Sequence, residues 1–181
     1  MKDLEHFLNE GLFKEDKKMK PHESMIAKSV VDFMKNELKF DANKIVVKKK
    51  TSNNLIGDIS LSDASVNKGN FILNLNPNQG TKMQMKALIH ELTHINQVVK
   101  GTLKPSEDWK SIVWDGSFTL SIRDYKKSMK DFNEYSNLPW EKEAYSNMKT
   151  LIEKYLNSKY FKDLKGKDAT LDFIIDNIEY A

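Results

Sequence analysis

Ala87-Leu88-Ile89-His90-Glu91-Leu92-Thr93-His94 sits inside a helical pattern that runs from about Lys82 to Lys100, with Gly101 as its stop. Residues four apart on a helix share a face, so His90 and His94 can aim both imidazoles at one ion. Glu91 lies about 100° further round, beside that ion rather than on it. This is the H-E-x-x-H arrangement, in which two imidazoles hold Zn²⁺ and the carboxylate takes a proton from a water whose pKa the ion lowers to about 7. Met85, Leu88, Leu92, Ile95 and Val99 form an apolar stripe almost opposite the two histidines, and Met83, Ala87 and Val98 give the histidine side an apolar setting too. A helix buried on both sides, between a sheet and a second helical layer, is the expectation. The competing reading is a core helix with two hydrogen-bonded histidines, and a third ligand decides between them.

No cysteine and only four histidines are available for that ligand. His6 and His22 lie far upstream without ligand spacing and read as surface or capping residues. Ile95-Asn96-Gln97-Val98-Val99-Lys100 lacks the glycine and third histidine of the extended metzincin motif, so the third ligand should be a carboxylate on another element. Downstream of Pro139, residues Trp140, Ala144, Tyr145, Met148, Leu151, Ile152 and Tyr155 define one apolar helix face. Glu141 projects inside that face and Glu143 outside it. A carboxylate among apolar side chains is costly unless paired or metal-bound, which favours Glu141. An acid in the first helical turn is also favoured by the helix dipole, and a shifted helix start would exchange the roles of Glu141 and Glu143.

Ala87–His94 followed by Leu138-Pro139-Trp140-Glu141-Lys142-Glu143-Ala144-Tyr145 resembles the small gluzincin-type zinc metallopeptidases, compact enzymes found in bacteria, archaea and phages. In that group the downstream ligand commonly stands in a Glu-x-x-Ala-Asp arrangement. Glu141 and Ala144 match it, and Tyr145 stands where the usual Asp would orient a ligating histidine. The resemblance implies Zn²⁺ held by His90, His94 and Glu141, Glu91 as general base, and peptide-bond hydrolysis. It also implies a small, mostly antiparallel sheet against the metal helix, whose edge strand pairs with extended substrate. Phe71–Leu75 is the candidate strand. Tyr135 and Tyr125 are candidates for an oxyanion donor, though each also reads as a packing aromatic. Trp109, Trp114 and Trp140 could line the cleft or fill the core.

The chain as a whole, 181 residues with 39% apolar and 30% charged, has material for one core, which excludes a wholly disordered protein. Leu4, Phe7, Leu8 and Leu12 suggest a short first helix. Pro21 opens a second, with Ile26, Val30, Phe33, Met34 and Leu38 on one side and Asp41-Ala42-Asn43 as its exit. Ile45–Val47, Leu55 through Ile59 to Leu61, and Phe71–Leu75 read as strands with Asn-rich turns between them. The segment Thr102–Thr119 reads as an ordered loop, followed by helices at about Ser121–Phe132, Pro139–Asn157 and Thr170–Glu179. One α+β domain spanning 1–181 is the simplest account, with a helical 1–40, strands and metal helix over 45–100, and loop and C-terminal helices over 101–181.

The net charge is +3, with basic runs at Lys17, Lys18, Lys20 and at Lys48–Lys50. These read as solvated faces, not as a nucleic-acid footprint. An acidic start and the absence of a long apolar run predict a soluble, cytoplasmic chain (the host cytoplasm, if phage-encoded) without a cleaved leader. A monomer acting on protein or peptide substrates is expected. The alternative from another class is a silent or latent zinc-binding protein that works through protein contacts, its cleft covered by Leu4–Leu12 or Leu171–Ile178.

Overall fold

Alternating burial along two short segments starts the fold. Ile45 and Val47 on one strand, and Phe71, Leu73 and Leu75 on another, are all buried, and the register sets Ile45 beside Phe71 and Val47 beside Leu73. One face of the sheet is therefore apolar and must be covered. In the computed structural model, which describes residues 13–15, 18–50, 57–60, 69–167 and 169–179, this face joins the buried stripes of two helices in a single cluster.

The described elements are β1 (Phe13–Glu15), α1 (Pro21–Leu38), β2 (Lys44–Lys49), β3 (Gly57–Ser60), β4 (Asn70–Leu75), α2 (Thr81–Val99), β5 (Leu103–Pro105), β6 (Ser111–Trp114) and β7 (Phe118–Ser121). The C-terminal part is helical: α3 (Ile122–Ser128), α4 (Phe132–Ser136), α5 (Pro139–Asn157), α6 (Lys159–Lys162) and α7 (Ala169–Glu179). The architecture is α+β. The candidate first helix at Leu4–Leu12 and much of the Leu55–Leu61 strand lie outside the described residues.

The sheet order is β1-β2-β4-β3. The expected antiparallel majority holds among the described strands, and one other expectation needs correcting. Across both sheets three of the five pairings are antiparallel, yet in this sheet β1–β2 and β2–β4 are parallel and only β3–β4 is antiparallel. Phe71–Leu75, expected at the edge, is an interior strand with β2 on one side and β3 on the other. Its near-continuous apolar run suits an interior strand better. Among the described strands the two edges are β1 and β3, and β3 is the one beside Phe71–Leu75.

Thr102–Thr119 is a second sheet, β5-β6-β7, not a loop. Its strands are three or four residues long, too short for a periodicity to register. The signal was in the turn: Asp115 and Gly116 take positive φ, 46° and 69°, the Asp-Gly hairpin chemistry that matches strand twist. The helix expected over Ser121–Phe132 is likewise two helices. Ser121 caps α3 through the Asp124 N–H, and Asp131 caps α4 through the Asn133 N–H at 2.8 Å.

α2 is buried over nearly its whole circumference from Gln84 to Gln97, packed against α1, β3, β4 and α5. Its start is pinned by the Gln84 amide, which donates to the carbonyls of Gln79 (2.8 Å) and Asn76 (3.3 Å) in the preceding turn. Gly101, at φ 75°, ends it, and the Thr102 N–H and hydroxyl both donate to the Gln97 carbonyl. With both ends fixed, α2 is a rigid platform.

Candidate metal centre

Two helices whose ligands lie some fifty residues apart in sequence, α2 and α5, meet at α2's histidine face. Pro139 supplies the first turn of α5 without wasting a donor, and this turn lays Glu141 against α2. The Glu141 carboxylate is 2% exposed and uses one oxygen for each imidazole: Oε2 is 3.1 Å from His90 Nε2 and Oε1 is 3.3 Å from His94 Nε2. The two Nε2 atoms are themselves 3.1 Å apart. A tetrahedral zinc ion with ligand bonds of about 2.0–2.1 Å would separate any two ligand atoms by about 3.3–3.4 Å. The observed spacing fits that tetrahedral edge. His90, His94 and Glu141 are the group of donors, among the described residues, that could hold a metal ion. His22, at the start of α1, is not part of it, and His6 lies outside the described residues.

The orientation of His94 follows from a side chain that sequence reasoning passed over. The Gln97 Nε2 donates to the Trp140 carbonyl (3.0 Å) and to Glu143 Oε2 (2.8 Å). Both partners only accept, so the amide oxygen must face His94, whose Nδ1 lies 2.7 Å away. That Nδ1 carries the hydrogen, and the Nε2 of the neutral ring presents a lone pair to the site. Glu143 thus acts on the centre through Gln97 and does not reach it. Gln97 is three residues beyond His94 and on its face, a legible spacing, but its partners come from α5. His90 is held differently. The Tyr145 ring packs on its imidazole, centroids 4.6 Å apart, and His90 Nδ1 is buried without a hydrogen-bond partner.

The electrostatics favour a cation here. Burial alone would raise the Glu141 carboxyl, but the two imidazoles and the nearby Tyr135 hydroxyl outweigh it and hold its pKa down at about 2. Burial alone would lower His94, but the Glu141 carboxylate overrides it and lifts His94 to about 9. Without metal, a proton is drawn to the place where these donors converge. Glu91 behaves oppositely: desolvation holds its carboxyl above the usual range despite both histidines.

Glu91 lies where two cavities meet. One, about 420 Å³, is on the His94 side, with Trp109 and Trp140 in its wall; the other, about 510 Å³, is on the His90 side. Gly57 of β3, Met129 and Tyr135 border both cavities with Glu91. Trp114 lines neither. Tyr125 also lines the first cavity and pairs with Tyr135; burial lifts the Tyr125 hydroxyl to about 12 and pushes Tyr135 further up, so both stay protonated donors. Gly57 is needed for the close approach of β3, because a Cβ there would stand 3.2 Å from the Ala87 Cβ and 3.4 Å from the Glu91 Cγ. Leu171 and Ile175 of α7 are committed to the core, and among the described residues no α7 side chain lines either cavity.

No family model, curated protein or solved structure matches this chain. The buried His90/His94/Glu141 triad fits an H-E-x-x-H-plus-Glu zinc site, and the functional argument rests on its geometry.

Proposed function

We propose that this chain is a zinc-dependent metallopeptidase that hydrolyses peptide bonds in extended substrates. The carrying observation is the convergence of His90 Nε2, His94 Nε2 and both Glu141 oxygens within 3.1–3.3 Å, with Glu91 at the meeting point of two open cavities. His90, His94 and Glu141 would hold the ion. When bound, zinc supplies Lewis acidity toward the scissile carbonyl and acidifies water.

The other roles belong to the chain's own residues. Glu91, desolvated and close to the ligands, takes the proton of the attacking water and returns it to the leaving amine. Gln97 keeps the His94 lone pair aimed at the site. The protonated hydroxyl of Tyr135, a residue of α4 that borders both cavities, would donate to the developing oxyanion. β3, an outer strand of the described sheet that carries Gly57 close to Glu91, would be the strand on which an extended substrate adds.

The test replaces Glu91 with Gln. Zinc should remain bound while hydrolysis of an unfolded protein falls by at least about a hundredfold. Full activity in that variant refutes the mechanism. Stoichiometric zinc in a wild-type chain that turns over no protein or peptide would favour the second reading, a latent zinc-binding protein, which the near-complete burial of all three donors also accommodates.

A further inference from the structure

The two cavities beside Glu91 differ in charge. On the His94 side Asp58, Glu91 and Glu141 outnumber Lys104, and Pro105, Ile112 and Trp109 give an apolar wall. On the His90 side the wall is Met83, Phe132 and Met148, and its rim carries Lys86 and Lys130. Among the described residues the one acid lining that cavity is Glu91. Neither lysine forms an ion pair among the described residues. Phe132 is 67% exposed, and Met83 and Met129 are each more than a third exposed. Uncovered flexible apolar side chains beside unpaired cations form a surface that lacks a partner carrying both an apolar group and negative charge.

Building on the peptidase reading, we propose that the His90-side cavity selects a polypeptide segment in which a bulky apolar side chain adjoins acidic residues. The apolar group sits among Met83, Phe132 and Met148, and the carboxylates meet Lys86 and Lys130. A cavity of about 510 Å³ is within the range that encloses a ligand of side-chain size or larger. Thioether and phenyl walls adapt to Leu, Met or Phe without demanding one of them, so charge supplies the discrimination. A nucleic-acid strand would need a longer track of cations than two lysines provide.

The experiment uses the zinc-loaded Glu91→Gln chain, which binds without turnover, and fluorescein-labelled ten-residue peptides with a Leu-Phe core. Two Asp or two Lys are placed on either side of the core in turn, and affinity is read by fluorescence anisotropy. The Asp peptides should bind about tenfold more tightly at low salt, with the preference shrinking in about 0.5 M NaCl. Adding Lys86→Glu with Lys130→Glu should invert the preference, and Lys86→Ala with Lys130→Ala should abolish it. Melting curves ensure that folded variants are compared. Equal binding of Asp and Lys peptides, a preference that survives charge reversal, or tighter binding of a single-stranded oligonucleotide of similar length overturns the proposal. Wild-type digestion of the same peptides separates it from the peptidase reading. Cleavage without charge preference removes this proposal alone, whereas charge-selective binding without cleavage leaves it standing and removes the hydrolytic one.

Discussion

His94 is gripped from both sides of its ring, by Gln97 at Nδ1 (2.7 Å) and by the site at Nε2, whereas His90 is oriented by the Tyr145 ring and has no partner at Nδ1. The two ligands should therefore respond differently to their surroundings. Gln97→Ala removes the acceptor that sets the His94 tautomer and should weaken zinc binding by about 10- to 100-fold, measured by competition with a chromophoric chelator. Tyr145→Phe keeps the ring contact and should leave zinc affinity within about twofold by the same assay. Glu141→Ala should lose the metal, while Glu143→Ala, which loosens only Gln97, should weaken it modestly; loss of zinc in Glu143→Ala alone would mean the ligand is misassigned. At this scale the sequence was informative because a buried acid on an apolar face has few explanations, and Glu141 is found against both imidazoles. Gln97 was not legible, because an amide's value depends on which acceptors a distant helix brings to it.

Among the elements, β3 is the hinge of the functional account. It is one of the two outer strands of the described sheet, and Gly57 lets it lie against α2 beside Glu91. Gly57→Ala brings a Cβ within 3.3 Å of the Asn74 carbonyl oxygen and 3.2 Å of the Ala87 Cβ, so β3 must shift by a few tenths of an ångström. Zinc content should be unchanged and kcat/KM should fall by about tenfold; unchanged kcat/KM would show that β3 does not set the catalytic geometry. A second element-scale prediction concerns the junction of α1 and β2, where Lys49 Nζ lies 2.6 Å from Glu23 Oε1. Burial raises the Glu23 carboxyl, but Lys49 and the Lys20 N–H outweigh that and leave it below its ordinary 4.5. A carboxyl depressed in the folded state stabilises the fold above its unfolded pKa, and that stability is lost as pH falls through the folded value. Lys49→Met should therefore lower Tm near pH 7, with the gap from wild type closing below about pH 4. A gap that persists at low pH would mean the pair acts through packing. Strands β2 and β4 were readable from local alternation, but their order was not, since pairing partners are separated in sequence and register is set by the whole apolar face.

Over the whole molecule, residues from Ile26 to Ile175 share one apolar cluster, and α2 is at once its central helix and the carrier of the site. Leu92, fully buried on the side away from the histidines, should show this coupling: Leu92→Ala should destabilise the fold by about 2–5 kcal/mol in denaturant titration. The α+β class and the long helices were legible because each carries a sustained period. The hairpin sheet that forms the Trp109 wall was missed because its strands are shorter than any period can mark, and its evidence was confined to Asp115-Gly116. Among the described residues no helix is long and apolar enough to cross a membrane; of the exposed large apolar side chains Met83, Trp109, Met129 and Phe132 line the two cavities, whereas Val99 and Phe173 lie elsewhere. The account as a whole turns on whether three side chains, from helices some fifty residues apart, share one cation. Elemental analysis of the purified, dialysed wild-type chain beside Glu141→Ala tests this directly: the prediction is one zinc per wild-type chain and almost none in the variant, whereas a zinc-free wild type, or equal zinc in both, would contradict it.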